Sequence, residues 1–142
     1  KCEADDKIAL RTSAAADLQS LVRATMRLRP DRIIVGEVRG PEALDLLKAW
    51  NTGHPGGVAT IHANSAGAAL SRLEQLIGER TTRIPHQFIA ETVDLVVFIS
   101  KTARGRAVRE IIRVSGWGPD GSYRVAPAQG PELSLVTQGD LS

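Results

Sequence analysis

The sequence predicts an α/β fold: a mostly parallel sheet flanked by helices, with a C-terminal antiparallel hairpin. Three observations carry this. Short strand-like runs at 33–35, 58–62 and 95–99 alternate with segments whose apolar residues recur at helical spacing. Gly, Pro and Asn punctuate the joins between them. From Arg106 to Val114, charged and apolar residues alternate, as in an antiparallel strand with one wet face.

In chain order, residues 7–11 (KIALR) read as a short first strand. Thr12 and Ser13 are candidate caps for the helix that follows. Leu18, Leu21, Val22 and Leu28 give that helix its apolar face, and Pro30 ends it. Residues 32–38 read as a second strand, whose continuous run Ile33-Ile34-Val35 suits burial on both faces. Gly40-Pro41-Glu42 opens the next helix, with an acid near its positive end. Leu44, Leu47 and Trp50 can share a face, and Asn51-Thr52-Gly53 stops it. A Gly/Pro loop at 54–57 leads to a third strand at 58–62. Asn64 or Ser65 caps a helix that turns Leu70, Leu73, Leu76 and Ile77 inward. Pro85 starts a further helix through Thr92, and 93–100 read as a fourth strand. Residues 102–105 suit a hairpin turn into 106–114. From 115 to 142 the composition shifts to Gly and Pro, with one short strand at 122–126, and this stretch reads as a loosely packed tail. The organisation expected is thus 1–114 as the α/β part and 115–142 as a tail.

Composition narrows the chemistry. Among 142 residues, 42% are hydrophobic and 24% charged, so a folded domain is expected rather than a disordered chain. The one cysteine, Cys2, excludes an internal disulfide framework and fits a reducing, cytoplasmic setting. No apolar run reaches the roughly 18 residues of a membrane span, so no insertion into lipid is expected. Net charge is only +2, so direct nucleic-acid binding is not expected, despite clusters at Arg23, Arg27, Arg29, Arg32 and at Lys101, Arg104, Arg106, Arg109, Arg113. Because Lys1 runs almost directly into strand-like sequence, the chain reads as a piece of a longer protein.

In a parallel sheet, ligands bind beyond the carboxyl ends of the strands. The second strand ends in Gly36-Glu37-Val38-Arg39-Gly40. An acid after a buried apolar strand is the arrangement of a Walker B site, which holds Mg²⁺ or orients an attacking water. Glu37 can equally be a strand-end carboxylate paired with Arg39 or Arg32. Gly36 stands where a first acid is usual, and its small size permits a close approach. The third strand ends in Thr60-Ile61-His62-Ala63-Asn64-Ser65. Thr60, His62 and Asn64 alternate onto one face and can all hydrogen-bond a phosphate or water. Against this stands a core histidine beside a helix cap. His54 reads as a loop-shaping residue and His86 as a surface one, and the spacing of the three histidines does not suit zinc. Arg23 and Arg27 share a helix face, either solvated or reaching across a subunit boundary. No G-x-S-x-G and no G-x-x-x-x-G-K-[ST] run occurs.

The run RATMRLRPDRIIVGEVRGPEALDLLKAWNTGHPGGVATIHANSA resembles the secretion ATPase superfamily of type II and type IV secretion, conjugation and pilus systems. GEVRG looks like its atypical Walker B and GHPGGVATIHANSA like its His box. The resemblance covers about residues 7–114. NTGHPGG, ATIHANSA and SRLEQLI are most similar to the TrbB-type conjugal transfer ATPases.

The resemblance implies a RecA-like P-loop NTPase, of which this chain is the C-terminal part. The family's N-terminal domain, Walker A loop and Asp box would all precede it. It implies ATP and Mg²⁺ as cofactors, with Glu37 as the Walker B carboxylate and metal-side residue. Arg39 would orient Glu37 or meet a neighbouring subunit. His62 would sense the γ-phosphate, with Gly36, Thr60 and Asn64 on the nucleotide side. It implies a homo-hexamer that couples ATP hydrolysis to conjugative DNA transfer, type IV secretion or pilus assembly. Such a ring is cytoplasmic and peripheral at the inner membrane, held there by components of the secretion apparatus. The isolated piece is expected to be inactive. The alternatives are a non-catalytic, truncated interaction module of that apparatus, or a fragment of a pilus-retraction or type II secretion motor.

Overall fold

The computed structural model describes residues 5–103 and 105–128. The elements follow in the order α1 (Leu18–Arg27), β1 (Ile34–Val35), α2 (Glu42–Asn51), β2 (Val58–Ala59), α3 (Ala66–Gly78), α4 (His86–Thr92), β3 (Leu95–Thr102), β4 (Gly105–Trp117) and β5 (Tyr123–Pro127). This is an α/β arrangement. Among the described residues no helix is long and apolar enough to cross a membrane.

Local chemistry sets most of these boundaries. The Asp17 carboxylate caps α1 by accepting from Ser20 N at 2.7 Å, so the cap lies four or five residues beyond the expected Thr12 or Ser13. Ser13 instead closes a small turn onto Ala16. Beyond α1, Arg29 takes a positive φ of 51°, the left-handed turn that ends many helices, and Pro30 prevents any continuation. Ser65 caps α3 through Ala68 N, and Pro85 precedes α4.

The sheet differs from the expectation of one mostly parallel sheet. Only β1 and β2 pair in parallel, with Ile34 opposite Val58 and Val35 opposite Ala59. The fourth expected strand does not join them. β3 pairs with β4 and β4 with β5, all antiparallel, in a separate three-stranded sheet. The short β3–β4 connection makes that pairing cheap in loop entropy. Residues 7–11 form no strand: among the described residues none lies alongside to complete a ladder, and Ile8 and Leu10 stay exposed. The run 33–35 is buried on one face only, since Ile33 and Val35 are covered while Ile34 is 59% exposed.

The expected break at residue 115 is not a structural one. β4 runs through it to Trp117, and β5 lies where a short strand was expected. Trp117 and Tyr123 pack against the core rather than hanging loosely. Arg104, expected in the turn, and residues 129–142 of the tail lie outside the described residues.

The core forms between α2 and its neighbours α1, α3 and α4. Leu47, Leu76, Ile77 and Ile89 are fully buried, joined by Val22, Ile33, Val35 and Val38. Each such side chain contributes about 1.5–3 kcal/mol. Ile33, Val35 and Val38 share this core, and the Trp50 Nε1–H donates to the Ile33 carbonyl, so the segment that carries β1 is tied to α2.

Candidate functional site

β1 and β2 are parallel, so their carboxyl ends lie together. In register, the Thr60 carbonyl would accept from Glu37 N. It accepts instead from Val38 N, at 2.9 Å. The first strand therefore carries one extra residue here, a bulge at Gly36-Glu37. Thr60 clamps both ends of it, because its hydroxyl also donates to the Gly36 carbonyl. The bulge sets the Glu37 side chain beside that of His62.

Glu37 is the centre of the cluster. One oxygen, Oε2, is ion-paired with Arg39. The other, Oε1, lies 2.8 Å from His62 Nε2. That oxygen is shut off from solvent and has no aligned hydrogen-bond donor. The Arg39 guanidinium, hydrogen-bonded to the carboxylate, holds its pKa below the usual range. Burial opposes this, and the Arg39 and His62 charges add to the lowering. The same contact raises Arg39. His62 is 90% exposed, which excludes a core histidine.

Of the expected residues, the fold thus brings together Gly36, Glu37, Arg39, Thr60 and His62. A Cβ built on Gly36 would meet nothing, so that flank is open space. Asn64 is exposed further along the same segment. The helix cap is Ser65, not Asn64.

Three contributors were not legible as such. Glu42, expected only as an acid at a helix start, is buried, and its Oε1 accepts from Arg39 N at 2.9 Å and Gly40 N at 3.0 Å. It therefore ties down the loop that carries Glu37 and Arg39. The signal was its place in the first turn, from which a carboxylate reaches back to preceding N–H groups. Asp45 is buried in α2, and its Oδ2 accepts from Gln19, Arg23 and Arg80. Burial pushes its pKa up, but Gln19, Arg80 and Arg23 outweigh that and hold it below the ordinary 3.8. Arg23 is thus engaged with α2 rather than on a merely solvated face. Arg11 lines a cleft of about 640 Å³ together with Thr12, Gly36, Glu37, Arg39 and Glu42.

The other histidines lie apart. His54 Nδ1 bonds to the Pro30 carbonyl at 2.6 Å and so ties its loop to the entry of β1. His86, expected at the surface, is half-buried instead. It stacks on Trp117 at 4.3 Å and meets Glu74, which also accepts from the Tyr123 hydroxyl. Burial and the Glu74 contact raise the Tyr123 pKa.

The model of the type II/IV secretion system protein family matches residues 1–112, and the chain belongs to that family.

Within it the similarity runs to TrbB-type conjugal transfer proteins. The chain is 56% identical over 129 residues to the "Probable conjugal transfer protein TrbB" of Sinorhizobium fredii, covering 91% of this chain and 39% of that protein. It is 55% identical over 117 residues to the conjugal transfer protein TrbB of Rhizobium radiobacter, covering 82% and 36%. Among solved structures, the VirB11 ATPase of the Brucella suis type IV secretion system, in complex with sulphate, superimposes with a TM-score of 0.63. Its identity is 26%, over 68% of this chain and 32% of that one. The chain therefore spans well under half the length of these relatives.

Proposed function

We propose that the intact protein is an ATP-hydrolysing motor that energises conjugative transfer through a type IV secretion apparatus. This chain is then the C-terminal part of its RecA-like P-loop domain. Family membership and the TrbB and VirB11 likenesses support the class. The observation that carries the site is the Glu37 carboxylate. It is kept ionised by Arg39 on one oxygen, while the other, desolvated oxygen lies beside the His62 imidazole without an aligned hydrogen bond among the described residues.

An unsatisfied buried acceptor costs free energy unless a cation or water proton meets it. Glu37 thus fits Mg²⁺, which binds through one or two carboxylates, phosphates and its own waters. When bound, Mg²⁺ neutralises charge on the phosphates. Glu37 Oε1 orients the attacking water. Arg39 holds the carboxylate in its ionised form and its rotamer. His62, solvent-facing and within reach of Glu37, donates to the departing phosphate and reports its presence to the loop. Gly36 leaves room for the nucleotide, Thr60 fixes the bulge, and Asn64 supplies an amide at the rim. Catalysis here is positioning and charge stabilisation rather than covalent chemistry.

The assembly we infer is a homo-hexameric ring with nucleotide between subunits, peripheral at the cytoplasmic face of the inner membrane and held there by partner proteins. The test is phosphate release by the intact protein with and without Mg²⁺. Turnover that needs Mg²⁺ and falls at least a hundredfold in His62→Ala supports the reading. Absence of nucleotide-dependent phosphate release contradicts it.

A further inference from the structure

We propose that Arg11 is a phosphate-binding residue of the same site, directed at the terminal phosphates of a nucleoside triphosphate. The inference rests on the ATPase reading above.

The segment at 7–12 forms no strand, yet it is not remote from the site. Leu10, Arg11 and Thr12 line the same open cleft as Gly36, Glu37, Arg39 and Glu42, with Leu18, Leu21 and Val35 as its apolar part. Among the described residues two cations line this cleft, Arg11 and Arg39. Arg39 is occupied, since its guanidinium is committed to Glu37. Arg11 is exposed and has no hydrogen bond or ion pair among the described residues.

The two carboxylates of the cleft are likewise spoken for. Glu37 faces Arg39 and His62, and Glu42 holds two backbone N–H groups. The cleft therefore contains one guanidinium whose five donors are unused, beside open space at Gly36. Guanidinium donors match phosphate oxygens two at a time, so a multiply charged phosphate chain is the ligand such a cleft recognises. Arg11 also faces the site from a different segment than Glu37. It can thus hold the phosphates while Arg39 stays on the carboxylate.

The experiment compares the intact wild type with Arg11→Ala and Arg11→Lys. Binding of ATP, ADP and AMP is titrated by calorimetry, and steady-state turnover is measured alongside. Arg11→Ala is expected to weaken ATP at least tenfold, ADP less, and AMP not at all. KM for ATP rises more than kcat falls, and Arg11→Lys recovers part of the loss. Because Arg11 is exposed and has no partner among the described residues, thermal melts of the variants should coincide with wild type. If Arg11→Ala binds and hydrolyses ATP as wild type does, the assignment of Arg11 is overturned while the ATPase reading stands. Equal weakening of ATP and AMP also overturns it, since the residue is then not reading the terminal phosphates. If wild type itself binds no ATP, both readings fall together.

Discussion

Replacing Glu42 by Ala removes the side chain that anchors the Glu37–Arg39 loop. Its Oε1 accepts from Arg39 N at 2.9 Å and from Gly40 N at 3.0 Å, and the residue is 9% exposed. A hydrogen bond to a charged partner is worth about 1.5–3 kcal/mol when lost. Arg39 is exposed, so water can replace part of what its N–H loses. Taking the low end for both bonds gives about 3 kcal/mol. Glu42→Gln keeps a carbonyl acceptor in place and loses only the charge, so about 1 kcal/mol is expected. Urea melts of the intact protein followed by circular dichroism measure both. The loop consequence is separate from stability. With its anchor gone, Arg39 no longer holds the Glu37 carboxylate in place. ATP turnover of Glu42→Ala, measured where the variant is still folded, should therefore fall at least tenfold, with Glu42→Gln in between. A Glu42→Ala melt within about 0.5 kcal/mol of wild type, together with normal turnover, refutes the argument that this carboxylate positions the loop.

Three further outcomes follow from the same geometry. A Cβ at Gly57 would lie 1.9 Å from Trp50 Nε1, which donates to the Ile33 carbonyl, so Gly57→Ala must displace a ring anchored to β1. A loss of about 1–3 kcal/mol is expected in the same melts. Arg39→Ala releases the contact that depresses Glu37, so the acid limb of the pH–turnover profile should move to higher pH; an unmoved limb would show that Arg39 does not set the ionisation of Glu37. Asp45 has its folded pKa below 3.8, so its stabilisation is present above that value and is lost as pH falls through the lower folded pKa. The stability gap between wild type and Asp45→Asn should be widest near pH 6 and should shrink at pH 3, as read by urea melts across that range.

How much of this was legible in the sequence depends on the range of the interactions concerned. The helices were readable because their signals are local: apolar spacing in α3, a Ser65 cap and Pro85 ahead of α4. The parallel sheet was overestimated because alternation of elements cannot say which strand a given strand will pair with. β3 found its partner across a tight turn, and residues 7–11 have none among the described residues. Glu37 and His62 were legible because each ends a strand-like run, and two parallel strands bring such ends together. The bulge that sets Glu37 beside His62 was not, since it depends on which backbone N–H meets the Thr60 carbonyl. Asp45 was missed for the same reason, since it meets partners as far away as Gln19 and Arg80. Glu42 was missed although its contacts are local, because a helix-start acid does not reveal which N–H groups it will hold.

The most direct test of the central claim is a single-turnover experiment on the intact protein, with trace labelled ATP and excess enzyme in Mg²⁺, comparing wild type with Glu37→Gln. The account predicts that both bind the nucleotide. Wild type then converts it to ADP and phosphate, whereas Glu37→Gln keeps it as ATP, because the amide cannot accept the water proton at the position of Oε1. Conversion by Glu37→Gln at the wild-type rate would contradict the account and remove the strand-end carboxylate from the chemistry.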